Sequence, residues 1–304
     1  LRKVYQDEIK ALEGDFSPFE TGDSYQNPQH PYSFDLDVFG KSSLFNRICR
    51  TITSGGSEAL ARNLTRETPL SMEDIKRRRD LQKELAGEGE NWRMEFLALG
   101  EKNRSQTADG KMMDGKMKKI DSAAVMDAMQ KVSKMEVPAW FGSPVSLVIG
   151  WLLIIGVIGS VILSICDMVS VNFALWWVLV QYMVVFFVCK QTLDKIDSNG
   201  GKLRHQLIAY AQILRLINRR NFHSELGKEM QDSLADALPS FAQLEKILKG
   251  YDRRGNFLGL FFTDAFMLSD FFLVRSFLKW KNTYMMKMEE WMHTISEMDA
   301  MVSM

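Results

Sequence analysis

The sequence predicts an all-α fold, an elongated helical domain that carries an inserted hairpin of two apolar helices. Three observations support this prediction. No stretch alternates apolar and polar residues for long enough to indicate a β-sheet. In the flanking parts, apolar residues recur at spacings of three and four, as they do on one face of a helix. Between residues 137 and 189 the chain is apolar, and Asp167 is its only charged residue.

The apolar block divides into two helices of membrane-spanning length. The first is expected over about 145–166, with Ser143 as its N-cap and Pro144 at its first position. The second is expected over about 173–189. A helix that crosses a bilayer needs about 20 apolar residues. A carboxylate at the bilayer centre would cost about 3 kcal/mol, so Asp167 belongs in a turn at the membrane surface. The sequence therefore predicts a transmembrane hairpin.

Lysine and arginine flank this block on both sides and are absent from its turn. By the positive-inside rule, both ends then lie in the cytoplasm and the turn faces outward. Indole rings favour the membrane interface, and small residues one turn apart allow close helix approach. The residues assigned to the hairpin are Trp140, Trp151, Gly156, Ser160, Asp167, Trp176 and Trp177. The alternative is a buried hairpin in the core of a large soluble protein, because the second helix is short for a membrane span.

Composition argues against several functional classes. The 38 Lys and Arg residues equal the 38 Asp and Glu residues, so no overall basic field exists to hold nucleic acid. The three cysteines lack paired spacing and the four histidines are scattered, which argues against a disulfide framework and a metal site. Because the chain begins with Leu1 and ends within a helical pattern, we expect it to be a piece of a longer protein.

The C-terminal part carries a long apolar stripe. Its members follow spacings of four and three with one four-residue insertion: Leu273, Phe277, Trp280, Tyr284, Met288, Trp291, Ile295, Met298 and Val302. The stripe predicts a single helix over about 268–302, roughly 50 Å long at 1.5 Å per residue. We interpret it as a packing seam rather than a ligand site. A helix of this length has the geometry of a lever.

No catalytic motif is found in the sequence. Gly40-Lys41-Ser42 is similar to the end of a phosphate-binding P-loop, but Asp35 stands where that motif needs its first glycine. The preceding segment also opens a helical region rather than ending a strand. We therefore expect the chain not to be an enzyme and to hold no cofactor of its own.

Residues 35–64 resemble the start of the core, or lever, domain of the MutS DNA mismatch repair family. The resemblance lies in a glycine followed by a Ser-Leu-Phe helix start, an Arg-Thr-x-Thr turn and a second glycine. The residues concerned are Gly40, Ser43, Leu44, Phe45, Arg50, Thr51, Thr53 and Gly56. Residues 69–85 resemble the next helix of that family, and residues 273–291 resemble the long helix that returns to its ATPase domain.

A physical role can be assigned to several of these residues. Arg50 would follow a helix C-terminus, where a cation is favoured by the exposed carbonyl groups. Thr51 and Thr53 can cap the next helix, and Gly56 permits its close packing. These are structural roles and not catalytic ones.

The resemblance is strongest to the membrane-anchored MutS-like ATPases of bacteria, because the hairpin takes the place of the family's DNA clamp. It implies an ATPase domain after residue 304, which would bind ATP and Mg²⁺ and form a homodimer. It also implies a location in the bacterial cell membrane, with the soluble parts in the cytoplasm. The wedge of the family's mismatch reader is absent, since no Phe here has Glu two positions later.

Four segments follow from these expectations. They are an N-terminal connector (1–38), the first half of the core domain (39–136), the transmembrane hairpin (137–189) and the second half of the core domain (190–304). The predicted function is a non-catalytic lever that couples an ATP-driven change to the hairpin.

Two alternatives remain open. One is a DNA-binding mismatch-repair core, whose phosphate contacts would come from Lys111, Lys116, Lys118, Lys119, Arg215, Arg219 and Arg220. The other is a membrane scaffold with no nucleotide linkage.

Overall fold

The computed structural model describes residues 1–87, 90–107, 119–252 and 263–304, with the side chains of 104–107, 197–205 and 252 excepted. The described residues form helices and connecting turns, and no β-strand occurs among them. A single isolated bridge pairs Thr53 with Ile120. The all-α prediction is confirmed.

The described residues form twelve α-helices of five or more residues in addition to a short helical turn. They are α1 (Arg2–Leu12), α2 (Leu44–Ile48), α3 (Ser54–Leu64), α4 (Met72–Ala86), α5 (Glu90–Thr107), α6 (Ser122–Lys134), α7 (Pro144–Ile165), α8 (Val171–Arg219), α9 (Glu225–Ser233), α10 (Ala237–Asp252), α11 (Ser269–Tyr284) and α12 (Met288–Ser303). The short helical turn covers 263–267. Short 3₁₀ turns lie at Asp23–Tyr25, Ala139–Gly142 and Met285–Lys287.

The chain divides into two compact units. The first contains residues 1–126, 206–238 and 287–304, and the second contains residues 127–205 and 239–286. These units group the segments differently from the four-part division expected from the sequence, and that division stays a prediction.

The first unit has an apolar core between α2, α3 and α12. Its members are Val38, Phe39, Phe45, Cys49, Ala59, Leu60, Ala61 and Ala300. Two glycines at the start of α3 allow α12 to approach. A β-carbon at Gly56 would lie 2.1 Å from Asp299 Oδ2, and one at Gly55 would lie 2.4 Å from Ser296 Oγ. Any larger residue would therefore force these helices apart.

The apolar hairpin of the second unit consists of α7 and the first part of α8. Ser143 caps α7 by accepting the N–H of Ser146 at 3.1 Å, and Pro144 occupies the first helical position. The sequence predicts that the second helix ends near residue 189, and this prediction is wrong. The helix continues to Arg219 and contains no proline, although Ser198, Asn199, Gly200 and Gly201 have low helix propensity.

The prediction of one helix over 268–302 is wrong. A 3₁₀ turn at Met285–Lys287 separates α11 from α12. The turn lies where the apolar stripe has two successive four-residue steps, from Trp280 to Tyr284 and on to Met288. The stripe itself is a packing seam, since all its members except Leu273 and Tyr284 are buried.

Candidate functional site

The Arg-Thr-x-Thr turn is held by a buried carboxylate from the C-terminal helix. Asp299 accepts the backbone N–H groups of Ile52 (3.0 Å) and Thr53 (2.8 Å) and the hydroxyl of Thr53 (2.6 Å). Thr53 is also the N-cap of α3, and its Oγ1 accepts the N–H of Gly56 at 2.9 Å. One side chain of α12 therefore fixes the turn that starts α3.

Burial dominates the electrostatics of this carboxylate. Asp299 is fully buried, and burial raises the pKa of its carboxyl to about 6. The hydrogen bonds from Thr53 and Ile52 and the nearby ammonium of Lys119 lower that pKa and only partly offset the burial. No local pattern pointed to Asp299, because it lies 246 positions from Thr53 in the chain.

Arg50 closes the C-terminus of α2. Its guanidinium donates to the carbonyl oxygens of Arg47 (3.0 Å) and Cys49 (3.1 Å), where the last helical carbonyls lack partners. It also forms an ion pair with Glu8, with Nε and Oε1 2.6 Å apart. Its carbon Cζ lies 3.4 Å from the centre of the Phe19 ring. Arg50 therefore ties α1 and the connector to the turn.

The residues before this turn form a cap and a core. Gly40 has φ of +115°, a backbone conformation that favours glycine. Ser43 caps α2 by accepting the N–H of Asn46 at 3.2 Å. Phe45 is buried against the ring of Phe39, and Leu44 is exposed. Gly40, Ser43, Leu44 and Phe45 therefore all lie in the turn before α2 or in the first two positions of that helix.

A second polar cluster lies beneath the same turn. The ammonium of Lys119 donates to Glu20, Ser57 and Thr51, and it lies 3.5 Å from Cys49 Sγ. Burial alone would lower the pKa of this ammonium, but the sulfur of Cys49 and the carboxylate of Glu20 beside it raise that pKa. Lys119 and Glu20 therefore form an internal ion pair, and the hydroxyls of Thr51 and Ser57 accept further hydrogen bonds from the ammonium.

A cavity of about 70 Å³ adjoins this cluster. It is lined by charged residues, including Glu8, Glu20, Arg50 and Lys119, and by residues of α1 and α5. This volume admits a few water molecules and is far too small for a nucleotide. Within the described ranges, no group of three or more His, Cys, Asp or Glu side chains is placed to hold a metal ion.

Two of the described residues that were expected to contact phosphate are engaged elsewhere. Lys119 is buried in its own cluster, and Arg220 is mostly buried and paired with Glu84, so the expected contacts are wrong for these two. Arg215 and Arg219 are exposed on α8. The remaining expected contacts, Lys111, Lys116 and Lys118, lie outside the described residues.

Arg220 instead belongs to a capping site that sequence reasoning missed. Glu84, at the end of α4, accepts the N–H groups of His223 and Ser224, both at 2.9 Å, just before α9 begins. The Arg220 guanidinium is 3.3 Å from the same carboxylate. Burial would raise the pKa of Glu84, but hydrogen bonds from Ser224, His223 and Arg220 lower it to about 2. The carboxylate is therefore held ionised at the N-terminus of α9.

The hairpin residues expected from the sequence lie on α7, α8 and the turns beside them. A β-carbon at Gly156 would lie 3.3 Å from the Trp177 ring, so α7 and α8 approach closely there. Ser160 is buried on the same helix, and its hydroxyl donates to the carbonyl of Val157. Asp167 is exposed in the turn and has φ of +54°. The remaining tryptophans, Trp140, Trp151 and Trp176, are exposed.

Polar groups also lie beside the hairpin, and sequence reasoning did not place them. Gln181 of α8 donates to the carbonyl of Ala265 at 3.0 Å, so its partner is the turn at 263–267 rather than α7. Asp264 of that turn is fully buried and accepts the hydroxyl of Ser269 (3.0 Å) and the N–H of Asp270 (2.8 Å). The carboxylate thus caps the start of α11.

The arrangement described here stabilises helix ends and helix contacts. Its carboxylates and cations bind backbone groups, side-chain hydroxyls or one another. In comparisons with known proteins, no family model, no curated protein and no solved structure matches this chain.

Proposed function

We propose that this chain is the membrane-anchored, non-catalytic lever part of a MutS-like ATPase. In this proposal the α7–α8 hairpin crosses the cell membrane of a bacterium. The helices of the first compact unit lie in the cytoplasm, and ATP and Mg²⁺ bind in a separate domain of the parent protein. The anchoring is supported by the exposure of the hairpin, and the link to the ATPase rests on the resemblance of residues 35–85 to the family.

The observation that carries the anchoring is the exposure of large apolar side chains on two long helices. The helices Pro144–Ile165 and Val171–Ile196 are long and apolar enough to cross a membrane, yet only 22% and 28% of their most apolar windows are buried. Trp151, Leu152 and Phe187 are 54%, 61% and 69% exposed. A core hairpin of a soluble protein would bury such residues, because each is worth about 1.5–3 kcal/mol when removed from water.

The distribution of charge fits the same proposal. The α7 helix contains no charged residue, and α8 has none before Lys190. Asp167 lies in the exposed turn between them. An uncharged length of about 20 residues matches the hydrocarbon core of a bilayer.

The lever role is supported by the structural positions of the resemblance residues. Arg50, Thr53 and Gly56 fix a helix junction and are not arranged for chemistry. The helix that begins in the hairpin, α8, runs on without interruption for 49 residues. Among the described residues of the DNA-binding alternative, Lys119 and Arg220 are engaged in internal ion pairs, which argues against that alternative.

The native cysteines provide a direct test of the anchoring. Cys166, next to the hairpin turn, is exposed, whereas Cys49 and Cys189 are buried. In intact bacteria that express the chain, we expect a membrane-impermeant maleimide to label Cys166 from outside. The chain should also remain in the membrane fraction after washing at high salt and alkaline pH.

The matched control is Lys76→Cys in a Cys166→Ser background, because Lys76 is exposed on α4. This cysteine should be labelled only after the cells are opened. The anchoring would be rejected by two results together. Cys166 would be labelled only in opened cells, as the control position is, and the alkaline wash would release the chain from the membrane fraction.

The lever role needs the complete parent protein in membranes. We expect ATP to change the protease sensitivity of residues 190–230, because a lever that moves with the nucleotide state alters its exposure. Limited proteolysis followed by mass spectrometry measures the change, and an ATP analogue that cannot be hydrolysed serves as the second nucleotide state. Identical cleavage with and without nucleotide would contradict the lever role. It would favour the alternative, a membrane scaffold without nucleotide linkage.

A further inference from the structure

A large cleft lies within the second compact unit. Its volume is about 1000 Å³. Its lining comes from the end of α6, the turn before α7, one part of α8 and the end of α11. Ligand pockets in proteins have volumes of about 300–1000 Å³, so the cleft has room for a small ligand.

The position of the cleft along the hairpin indicates the depth of its ligand. Ser143 immediately precedes the first residue of α7, and Val188 lies at the end of the uncharged part of α8. Gln191 and Lys195 follow on α8 at helical spacing. If the hairpin crosses a bilayer, this level is that of the lipid headgroups on the side of the chain termini.

The charge of the cleft favours an anion. Three lysines line it, Lys134, Lys195 and Lys281, against one carboxylate, Glu136. The ammonium of Lys281 donates to the carbonyl oxygen of Met135, which holds it at the cleft wall. Burial lowers the pKa of Lys281, as expected for a cation that lacks a full hydration shell. An anionic ligand would compensate that loss of hydration.

The neutral lining residues match a phospholipid headgroup. Gln191 and Asn282 carry amide donors, and Ser143 carries a hydroxyl, and such groups bind phosphate oxygens. Val188 and Leu278 supply an apolar wall for the glycerol and the first acyl carbons. Basic pockets beside membrane helices on the cytoplasmic side bind anionic headgroups in this way.

We propose that this cleft binds the phosphate headgroup of an anionic phospholipid. The inference rests on the proposed membrane anchoring, because it takes the ligand from the bilayer. Free inorganic phosphate would offer the same charge without the glycerol and acyl groups, so the experiment separates the two sources.

The test uses the full chain in a neutral detergent, so that it does not depend on membrane insertion. Binding of short-chain phosphatidylglycerol, short-chain phosphatidylcholine and inorganic phosphate is measured by calorimetry. We expect phosphatidylglycerol to bind at least 10-fold more tightly than the other two. The combined variant K134Q/K195Q/K281Q should reduce that affinity at least 10-fold, since it removes all three ammonium groups that line the cleft.

The chain offers a matched control on the same three helices. The variant K131Q/K190Q/K279Q removes equal charge from α6, α8 and α11 at positions outside the cleft. It should bind phosphatidylglycerol within twofold of the wild type. Since Lys134 is exposed, Lys134→Gln alone preserves the fold, and we expect it to weaken binding severalfold.

Three outcomes would overturn the proposal. If inorganic phosphate bound as tightly as phosphatidylglycerol, the bound phosphate group would not need to come from a lipid. Equal losses in the two triple variants would show a diffuse charge effect and no pocket. Unchanged binding in Lys134→Gln and in K134Q/K195Q/K281Q would place the lipid elsewhere. Failure of the anchoring itself is read separately, from the labelling of Cys166 in cells.

Discussion

Replacement of Asp299 by alanine is expected to destabilise the first compact unit by about 3–5 kcal/mol. The carboxylate accepts three hydrogen bonds from Ile52 and Thr53, and its removal leaves their donors buried without partners. The cap of α3 would be weakened together with the turn. The measurement is urea unfolding of the full chain in detergent, followed by circular dichroism.

The control for this variant is Glu290→Ala, which removes an exposed carboxylate from the same helix. It should change the free energy of unfolding by less than about 1 kcal/mol. If Asp299→Ala were as stable as this control, the carboxylate would not hold the turn.

The same residue has a pH signature. The pKa of Asp299 in the folded protein, about 6, is above its ordinary value of 3.8. Its contribution to stability is therefore complete below pH 3.8 and is lost as the pH rises through 6. Asp299→Asn cannot titrate, so this declining component should be absent from its stability curve. A decline of equal size in both proteins would assign the proton to another group.

Replacement of Glu84 by glutamine is expected to give the second large effect, and its pH dependence has the opposite sign. The pKa of Glu84 is lowered from 4.5 to about 2 in the folded protein. Its stabilisation, about 3 kcal/mol from the linkage relation, is present above pH 4.5 and is lost as the pH falls through 2. Because the side chain is only 8% exposed, solvent screens this contribution little.

Hydrogen–deuterium exchange of the amides of α9 measures this effect locally. At pH 7, Glu84→Gln should exchange these amides much faster than the wild type, and the difference in opening free energy should shrink towards pH 2. The matched control is Glu95→Gln, an exposed carboxylate of the same compact unit, which should leave exchange in α9 unchanged. A difference that persists below pH 2 would contradict the assignment.

The local features of the fold could be predicted from the sequence because their causes are local. The all-α class followed from the spacing of apolar residues, and the two apolar helices followed from an uninterrupted run without charge. The cap at Ser143 and the proline at position 144 were also predicted, since a cap depends on neighbouring residues.

Helix ends were predicted less well. The sequence after Cys189 becomes polar, but polarity alone does not end a helix, and α8 continues to Arg219. In the C-terminal stripe the spacing anomaly at Tyr284 was visible in the sequence. The 3₁₀ turn at Met285–Lys287 lies beside this anomaly, but the spacing alone did not predict it.

The electrostatic partners could not be predicted, because they are far apart in the chain. In the sequence, Lys119 belongs to a run of basic residues and Arg220 follows Arg219, so both were predicted to be exposed to phosphate. In the structure, Lys119 is buried against Glu20, 99 positions away, and Arg220 binds Glu84, 136 positions away. Neither pairing could be inferred from the neighbouring residues in the sequence.

The sequence by itself determined that the chain is helical and that it contains two long apolar helices, since periodicity and composition act over neighbouring residues. The tertiary structure alone decided that these helices expose their apolar side chains, and that buried carboxylates and cations hold the remaining helices together. Burial and charge pairing depend on which distant residues come into contact, and only the folded chain brings them together.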